Sequence, residues 1–140
     1  MVEIIDASGL IIGRLSTHVA KRLLAEKDLE LAIVNSENAI VSGNKKMVID
    51  RYRMKRELNH PRKGPYFPRL PDRILKRTIR GMLPYQQPKG REALKRVKVY
   101  IGIPNDLKGK KTKTVESAKN ENLEHFVELK EISRVLGAKI

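Results

Sequence analysis

The most ordered set of reactive side chains in this 140-residue sequence is a row of cations between positions 69 and 83. A helix over this stretch turns by about 100° per residue and would gather five cations on one face. They are Arg69, Arg73, Lys76, Arg77 and Arg80. The opposite half would be largely apolar, with Ile74, Leu75, Thr78, Ile79, Met82 and Leu83. The stretch therefore predicts an amphipathic helix that packs on a core and presents cations outward.

Phosphate is the ligand that this cationic face favours. Four of the five cations are Arg, and Arg forms planar, bidentate hydrogen bonds to phosphate and stacks on bases. Like charges one helical turn apart, such as Arg73 and Arg77, cost roughly 0.2–0.5 kcal/mol per pair in a free helix. A phosphate array would offset that cost. The alternative is a core helix whose basic outer face is simply solvated.

Further basic clusters extend the predicted nucleic-acid contacts. The preceding helical stretch carries Lys45, Lys46, Arg51, Arg53, Lys55 and Arg56. The proline-rich loop after it carries Arg62, Lys63 and Tyr66. Positions nearer the C-terminus add Lys89, Arg91, Arg96 and Lys98, and a lysine-rich arm adds Lys110 and Lys111. Tyr66 and its neighbour Phe67 would either stack an unpaired RNA base or anchor the loop to the core, and both possibilities are open.

The charge distribution points to a polyanionic partner. The formal net charge is +14, and residues 44–113 hold 22 basic and 5 acidic side chains, a net of +17. The flanking segments 1–43 and 114–140 are slightly acidic. A compact domain tolerates such self-repulsion best when a polyanion neutralises it, so nucleic acid is the first candidate and an anionic membrane the second. We expect residues 44–113 to be the RNA-binding segment.

Residues suited to catalysis or metal binding are sparse. Cysteine is absent, which excludes disulfides and thiolate zinc sites. His18, His60 and His125 are far apart and lack ligand spacing. Gly9 and Gly13 follow a predicted strand, but their spacing matches neither the dinucleotide fingerprint nor the P-loop. No apolar run reaches the roughly 18 residues of a membrane helix. We therefore expect no enzymatic activity, metal, cofactor, small-molecule substrate or membrane partner.

Apolar periodicity predicts the elements that position these side chains. The expected strands are residues 2–6, 29–34, 39–41 and 97–101. The expected helices are residues 14–25, 44–58, 69–83, 91–96 and 128–136, with a proline-rich loop at 59–68 and an irregular stretch at 107–114. The opening strand, helix and strand indicate a right-handed parallel βαβ unit and an α/β fold. At this length, residues 1–140 are expected to form a single domain.

Several of these segments carry motifs of a known family, in order and over roughly residues 2–104. The motifs are Ile5-Asp6-Ala7-x-Gly9-x-x-x-Gly13-Arg14-Leu15, Val34-Asn35-x-Glu37-x-Ala39-Ile40-x-Ser42-Gly43, Arg62-x-Gly64-Pro65-Tyr66, Arg77-Thr78-Ile79-Arg80-Gly81-Met82-Leu83-Pro84 and Gly90-Arg91-x-Ala93-Leu94-x-Arg96-Val97-Lys98-Val99-Tyr100-x-Gly102-x-Pro104. Together they resemble the universal large-subunit ribosomal protein family thirteen in its archaeal and eukaryotic form. The short C-terminal region favours the archaeal type.

This resemblance implies a fold, a function and particular residue roles. It implies a three-layer α/β/α domain with a small, mainly parallel sheet of about four strands, extended by basic helices and loops. It implies a non-catalytic constituent of the large ribosomal subunit that binds ribosomal RNA (rRNA) and supports subunit assembly beside neighbouring large-subunit proteins, on the cytoplasmic ribosome. The matched positions suggest Arg77, Arg80, Arg91 and Arg96 as rRNA contacts. They also suggest Met82, Leu83 and Leu94 as packing residues and Gly81 and Pro84 as a turn.

Two alternatives remain open at the level of sequence. A small nuclease or methyltransferase would need a carboxylate or nucleotide site at the ends of the sheet strands. Asp6, Glu37, Asp50 and Asp72 form no recognisable metal or acid–base set. A free regulatory protein that binds RNA or DNA would share the basic surface but would not associate with ribosomal subunits.

Overall fold

The computed structural model of the chain describes residues 2–58, 61–120 and 123–139. Within these ranges the strands are β1 (Val2–Asp6), β2 (Glu30–Val34), β3 (Ile40–Ser42), β4 (Val97–Val99), β5 (Thr112–Lys113) and β6 (Phe126–Glu128). The helices are α1 (Ile12–Ala25), α2 (Lys45–Glu57), α3 (Pro71–Met82), α4 (Pro88–Lys95) and α5 (Leu129–Val135). Asn59 and His60 of the predicted loop, and Glu121 and Asn122 near the C-terminus, lie outside the described residues.

Four strands form a parallel sheet in the order β4-β2-β1-β5. The register pairs Ile4 of β1 with Ala32 of β2, and Ala32 with Lys98 of β4. The α/β class and the small parallel sheet are therefore confirmed. The fourth strand differs from the expected one, because residues 39–41 do not join this sheet. Instead β3 pairs with β6 in a separate antiparallel ladder, and β6 was not predicted from the sequence.

Strand β5 corrects the prediction that residues 107–114 are irregular. This strand lies on the sheet edge, where Thr112 pairs with Ile4 and Lys113 with Ile5. The ammonium Nζ of Lys113 is 3.6 Å from a carboxylate oxygen of Glu3. A two-residue strand made of Thr and Lys has no apolar periodicity, so the neighbouring backbone of β1 decides its conformation.

The main core lies on the side of the sheet that α1 and α3 cover. Leu15, Val19 and Leu23 of α1 are fully buried, which confirms the helix face predicted from their spacing. Strand β2 is buried on both faces, as its continuous apolar run indicated, because Leu31 and Ile33 join this core while its other side chains face away.

The opposite face of the sheet has a thinner cover. Ile4, Ala32 and Val34 pack there against Tyr100 and Leu107, which lie in the segment after β4. In the described residues this second outer layer is therefore a loop with a short 3-10 turn (Asn105–Leu107) rather than an α-helix. Sheet hydrogen bonding also continues past β4, since the Tyr100 amide donates to the Ile33 carbonyl at 2.8 Å.

Prolines set the first residues of two helices. Helix α3 begins at Pro71, two residues later than predicted, and α4 begins at Pro88, three residues earlier. Proline suits the first turn of a helix, because its φ is already helical and its missing N–H has no partner to lose there. Arg69 therefore precedes α3 instead of belonging to it.

Candidate nucleic-acid interface

Helix α3 has the two faces that its sequence predicted. Its buried side consists of Ile74, Leu75 and Ile79, each at most 1% exposed. On its outer side Arg73 is exposed, and three further cations are half-buried: Lys76, Arg77 and Arg80. These four cations are called the α3 basic surface below. The helix is thus held by its apolar side while its cations remain accessible.

The loop before α3 is attached to the core through Phe67. This side chain is 8% exposed, and its ring centroid lies 5.8 Å from that of Tyr52 on α2. The Arg77 guanidinium lies over the same ring at 5.0 Å and donates to the Tyr66 carbonyl at 3.1 Å. Phe67 therefore anchors the loop, which is one of the two possibilities that the sequence left open.

Tyr66 has a different environment from Phe67. Its side chain is 55% exposed, and its hydroxyl donates to the Pro61 carbonyl at 3.0 Å. The hydrogen bond holds the end of the ring while most of its surface stays accessible. An aromatic ring fixed in this way can stack on an unpaired base at little entropic cost.

Two grooves meet at Tyr66 and Arg73. The first has a volume of about 320 Å³ and is lined by Tyr66, Pro68, Arg73, Lys76, Arg77, Arg80 and Leu94. The second has a volume of about 450 Å³ and is lined by Arg56, Tyr66, Phe67, Pro68, Arg69, Leu70, Arg73, Gly137 and Ala138. The structure thus brings together predicted contacts from α2, the loop and α3, and it places Arg69 beside the α3 basic surface although it lies outside the helix.

Cations are crowded around these grooves. Partial burial, together with the nearby charges of Arg51 and Arg77, lowers the pKa of the Lys55 ammonium. The Lys55 Nζ also lies 4.9 Å from the centre of the Tyr52 ring. Across residues 2–58, 61–120 and 123–139, no ion pair involves Arg51, Lys55 or the α3 basic surface. An anionic ligand would relieve this uncompensated charge.

Other predicted contacts on α2 are divided between protein and solvent. Arg56 donates to the Phe67 carbonyl, and Lys45 lies 3.8 Å from a carboxylate oxygen of Glu131. The remaining side chains point outward: Lys46, Arg51 and Arg53.

In the loop, Arg62 and Lys63 are exposed. On α4, Lys89 and Arg91 are exposed as well, at the end away from the sheet.

Arg96 has an internal role that its sequence motif did not reveal. Its guanidinium donates to three backbone carbonyls in the last turn of α1 and just beyond it: Leu23 at 2.7 Å, Glu26 at 2.6 Å and Leu29 at 3.2 Å. The last carbonyls of a helix have no partner within the helix, so Arg96 supplies the missing donors. The idea that Arg96 binds rRNA stays a prediction, and both terminal nitrogens of its guanidinium already donate to carbonyls within the fold.

We expect Arg96→Ala to reduce the free energy of unfolding by about 1.5–3 kcal/mol, because it leaves partly buried carbonyls without charged donors. Arg91→Ala is the matched control, since Arg91 is exposed and, within the described residues, its guanidinium donates only one long hydrogen bond, of 3.5 Å to the Gln86 carbonyl. The control should change stability by less than about 0.5 kcal/mol. Urea unfolding measures both, and equal values for the two variants would contradict a structural role for Arg96.

Three predicted contacts lie away from the α3 basic surface. Lys98 occupies the face of the sheet that carries Ala32, opposite the helices. Lys110 and Lys111 are exposed in the turn that leads into β5. The lysine-rich segment is therefore joined to the sheet edge by β5 and is not a separate arm as predicted. Any RNA contact by these three lysines belongs to a separate part of the surface.

Residues that the family motifs marked for packing or turning have mixed outcomes. Leu83 is buried, and Leu94 packs against the core. Met82 is 41% exposed, with its Sδ 3.4 Å from the Thr17 hydroxyl of α1, so it is not a core residue. Gly81 lies inside the last turn of α3 instead of forming the turn that was expected. The sequence did not indicate Tyr85 as a partner of Arg80, whose guanidinium lies 5.1 Å from the centre of the Tyr85 ring.

The acidic residues at the strand ends serve the fold. Burial raises the pKa of the Asp6 carboxyl, but hydrogen bonds from Ser8 and Asn35 outweigh it and leave the pKa below its ordinary value. A carboxylate oxygen of Glu37 accepts from the Gly102 amide at 2.9 Å. Both carboxylates thus accept hydrogen bonds from nearby residues of the fold.

The described part of the chain offers neither a metal-binding cluster nor a membrane-spanning helix. No group of three or more His, Cys, Asp or Glu side chains there could hold a metal ion. None of the helices seen there has the length and apolar character to cross a bilayer.

The sequence is similar to proteins of one known family. The sequence matches the profile of the family described as ribosomal protein L13 over residues 1–106. It is similar to the large ribosomal subunit protein uL13 of Methanosarcina barkeri, with 49% identity over 140 residues that cover 99% of both chains. The uL13 protein of Methanocaldococcus jannaschii is 49% identical over 142 residues, again covering 99% of both chains. That of Archaeoglobus fulgidus is 46% identical, covering 96% of this chain and 86% of its own.

Proposed function

The chain belongs to the ribosomal protein L13 family, and from this membership we propose that it binds large-subunit rRNA through phosphate contacts of the α3 basic surface. It is a structural, non-enzymatic protein of the large ribosomal subunit. Phosphate binding by the grooves at Tyr66 and Arg73 would neutralise the charge of this subunit component and support subunit assembly.

The observation that carries the proposal is the accumulation of unpaired cations around an exposed aromatic ring. Arg73, Lys76 and Arg80 line one groove with Tyr66, and none of them takes part in an ion pair among the described residues. Phosphates would bind the cations, and an unpaired base would stack on the ring. A regular duplex offers no free base, so we infer that the groove at Tyr66 takes a looped or bulged segment of rRNA.

Fractionation of ribosomes tests the proposed location. Tagged chain, expressed in cells, should sediment with large subunits through a sucrose gradient in high salt, because a constituent of the assembled subunit is held by rRNA and neighbouring proteins together and not by phosphate contacts alone. A free regulatory RNA-binding protein would stay near the top of the gradient. Recovery of the chain only in that fraction would refute the proposal.

Two further parts of the proposal concern the chain as a whole. We propose that residues 1–140 act as one domain, which a continuous core from Ile5 to Leu136 supports. We also propose that neighbouring large-subunit proteins contact it. The outer side of α2 favours such a contact, since Met47, Met54 and Leu58 are 51%, 58% and 63% exposed and exposed apolar clusters often mark protein interfaces.

A further inference from the structure

A second cationic groove lies on α1, outside the basic middle segment. Its volume is about 310 Å³, and it is lined by Arg14, Thr17, His18, Lys21 and Ser117. Arg14, His18 and Lys21 follow one another at intervals of four and three positions, and Thr17 lies about one turn from both Arg14 and Lys21, so the four residues share one side of the helix. Ser117 comes from the short 3-10 turn at Glu116–Ala118. All five side chains can donate hydrogen bonds, and no carboxylate lines the groove.

The positive charge of this groove is not evident from the composition of residues 1–43. Residues 1–43 carry a slight net negative charge, but their acidic side chains lie elsewhere. Glu3 and Glu26 pair with Arg22, on another side of α1, and the hydrogen-bonded Arg22 guanidinium lowers the pKa of Glu3. Among the described residues, neither Arg14 nor Lys21 takes part in an ion pair.

The groove is next to the end of α3. The Thr17 hydroxyl, which lines it, lies 3.4 Å from the Met82 Sδ, and Met82 is the last residue of α3. Gly81 precedes it and has no side chain, and a Cβ built there meets nothing within 4 Å. The backbone between Arg80 and the α1 groove is therefore open. A strand bound on the α3 basic surface would cross this helix end at Gly81, beside the Met82 side chain, which is 41% exposed.

We propose that Arg14, His18 and Lys21 form a second phosphate-binding site that takes the phosphodiester backbone of the same rRNA. The inference rests on the proposed function, because it extends the footprint of the α3 basic surface onto α1. The cations supply the charge, and the imidazole with the hydroxyls of Thr17 and Ser117 supplies additional hydrogen bonds to phosphate oxygens. No base-specific contact is involved, so the site positions the RNA without reading its sequence.

The test compares three variants of the full chain for binding to RNA extracted from large subunits, between 50 and 200 mM salt. Arg14→Gln with Lys21→Gln removes the two cations of the α1 groove. Lys27→Gln with Lys130→Gln is the matched control, because Lys27 is exposed after α1 and Lys130 pairs with Glu128. The third variant replaces Arg73, Lys76 and Arg80 by Gln.

We expect the α1 variant to reduce the slope of log affinity against log salt by about 1.4–1.8, because each lost phosphate contact contributes roughly 0.7–0.9. If the variant and the unmodified chain bind equally at 1 M salt, this difference in slope makes the affinity of the variant about 25–60-fold lower at 0.1 M. The control should keep the slope of the unmodified chain.

An α1 variant that binds like the control, or a control that loses as much as the α1 variant, overturns the inference. If the α1 variant binds RNA like the control while the α3 variant binds more weakly, the proposed function stands and only the second site is wrong. If the α3 variant also binds like the control, the proposed interface itself is wrong. Matching unfolding midpoints for all variants establish that each one is folded.

Discussion

Replacing Arg73, Lys76 and Arg80 by Gln lowers the affinity for large-subunit rRNA by about 10²–10³-fold at 0.1 M salt. Each phosphate contact contributes roughly 0.7–0.9 to the salt slope, so three lost contacts remove about 2–3 units. The affinity of the unmodified chain for rRNA should itself depend strongly on salt. If it neutralises about 6–10 phosphates, its affinity falls by roughly 10³–10⁵ between 50 and 200 mM salt. Filter binding over this range measures both effects.

The same variant should remain folded, which separates an RNA contact from a core residue. These three side chains form no ion pair among the described residues, and their removal relieves repulsion on one helix face. Its free energy of unfolding should therefore equal or slightly exceed that of the unmodified chain. Arg77 is left in place, because it holds the loop through the Tyr66 carbonyl and the Phe67 ring. Unchanged affinity, or a chain that no longer folds, would argue against the α3 basic surface as the interface.

Replacing Gly90 by Ala should reduce the free energy of unfolding by about 3 kcal/mol, at the upper end of the usual cost of overpacking. Gly90 is buried in the first turn of α4, and a Cβ built there lies 1.9 Å from the Pro84 carbonyl oxygen and 2.8 Å from the Tyr85 nitrogen. Backbone atoms cannot rotate away as a flexible side chain can. Either α4 or the segment after α3 must shift, and this shift would also move Leu94 in the first groove.

Gly81→Ala is the matched control for that substitution. Gly81 also lies in a helix, but a Cβ there meets nothing within 4 Å. Alanine is favoured over glycine in helices by roughly 1 kcal/mol, and near the end of α3 we expect a smaller gain in stability. Urea unfolding of the pair gives opposite signs if the close approach of Gly90 to Pro84 is real. A loss of stability in both variants would instead indicate that alanine disturbs this region for another reason.

Local patterns were sufficient for most of the helices and for the buried strands. Leu15, Val19 and Leu23 are buried as their spacing predicted, and so are Ile74, Leu75 and Ile79 of α3. These predictions succeed because helical periodicity is a property of neighbouring residues and needs no knowledge of the fold. Helices α3 and α4 begin two or three residues away from their predicted starts, because each begins at a proline, which fits best in the first turn.

Contacts between distant segments were beyond local patterns. Arg96 and the Leu23 carbonyl are separated by 73 residues, so nothing near Arg96 indicates that its guanidinium is engaged. The two-residue β5 and the three-residue β6 form only because a partner backbone lies beside them. Met82 was expected in the core by its helical position, yet the end of α3 extends past the core to Thr17.

For this protein the sequence alone determined the charge, the amphipathic helix, the α/β class and the family resemblance, because composition, periodicity and motif order are all properties of the chain itself. Only the tertiary structure decided which cations share a surface. In the structure Arg56 and Arg69 lie beside Arg73. Arg96 donates to backbone carbonyls of the fold, and Lys98 lies on the face of the sheet opposite the helices. The structure also revealed the α1 groove, whose cations lie in a segment of net negative charge. Net charge counts residues, whereas binding depends on which side chains lie close together and which carboxylates already have a partner.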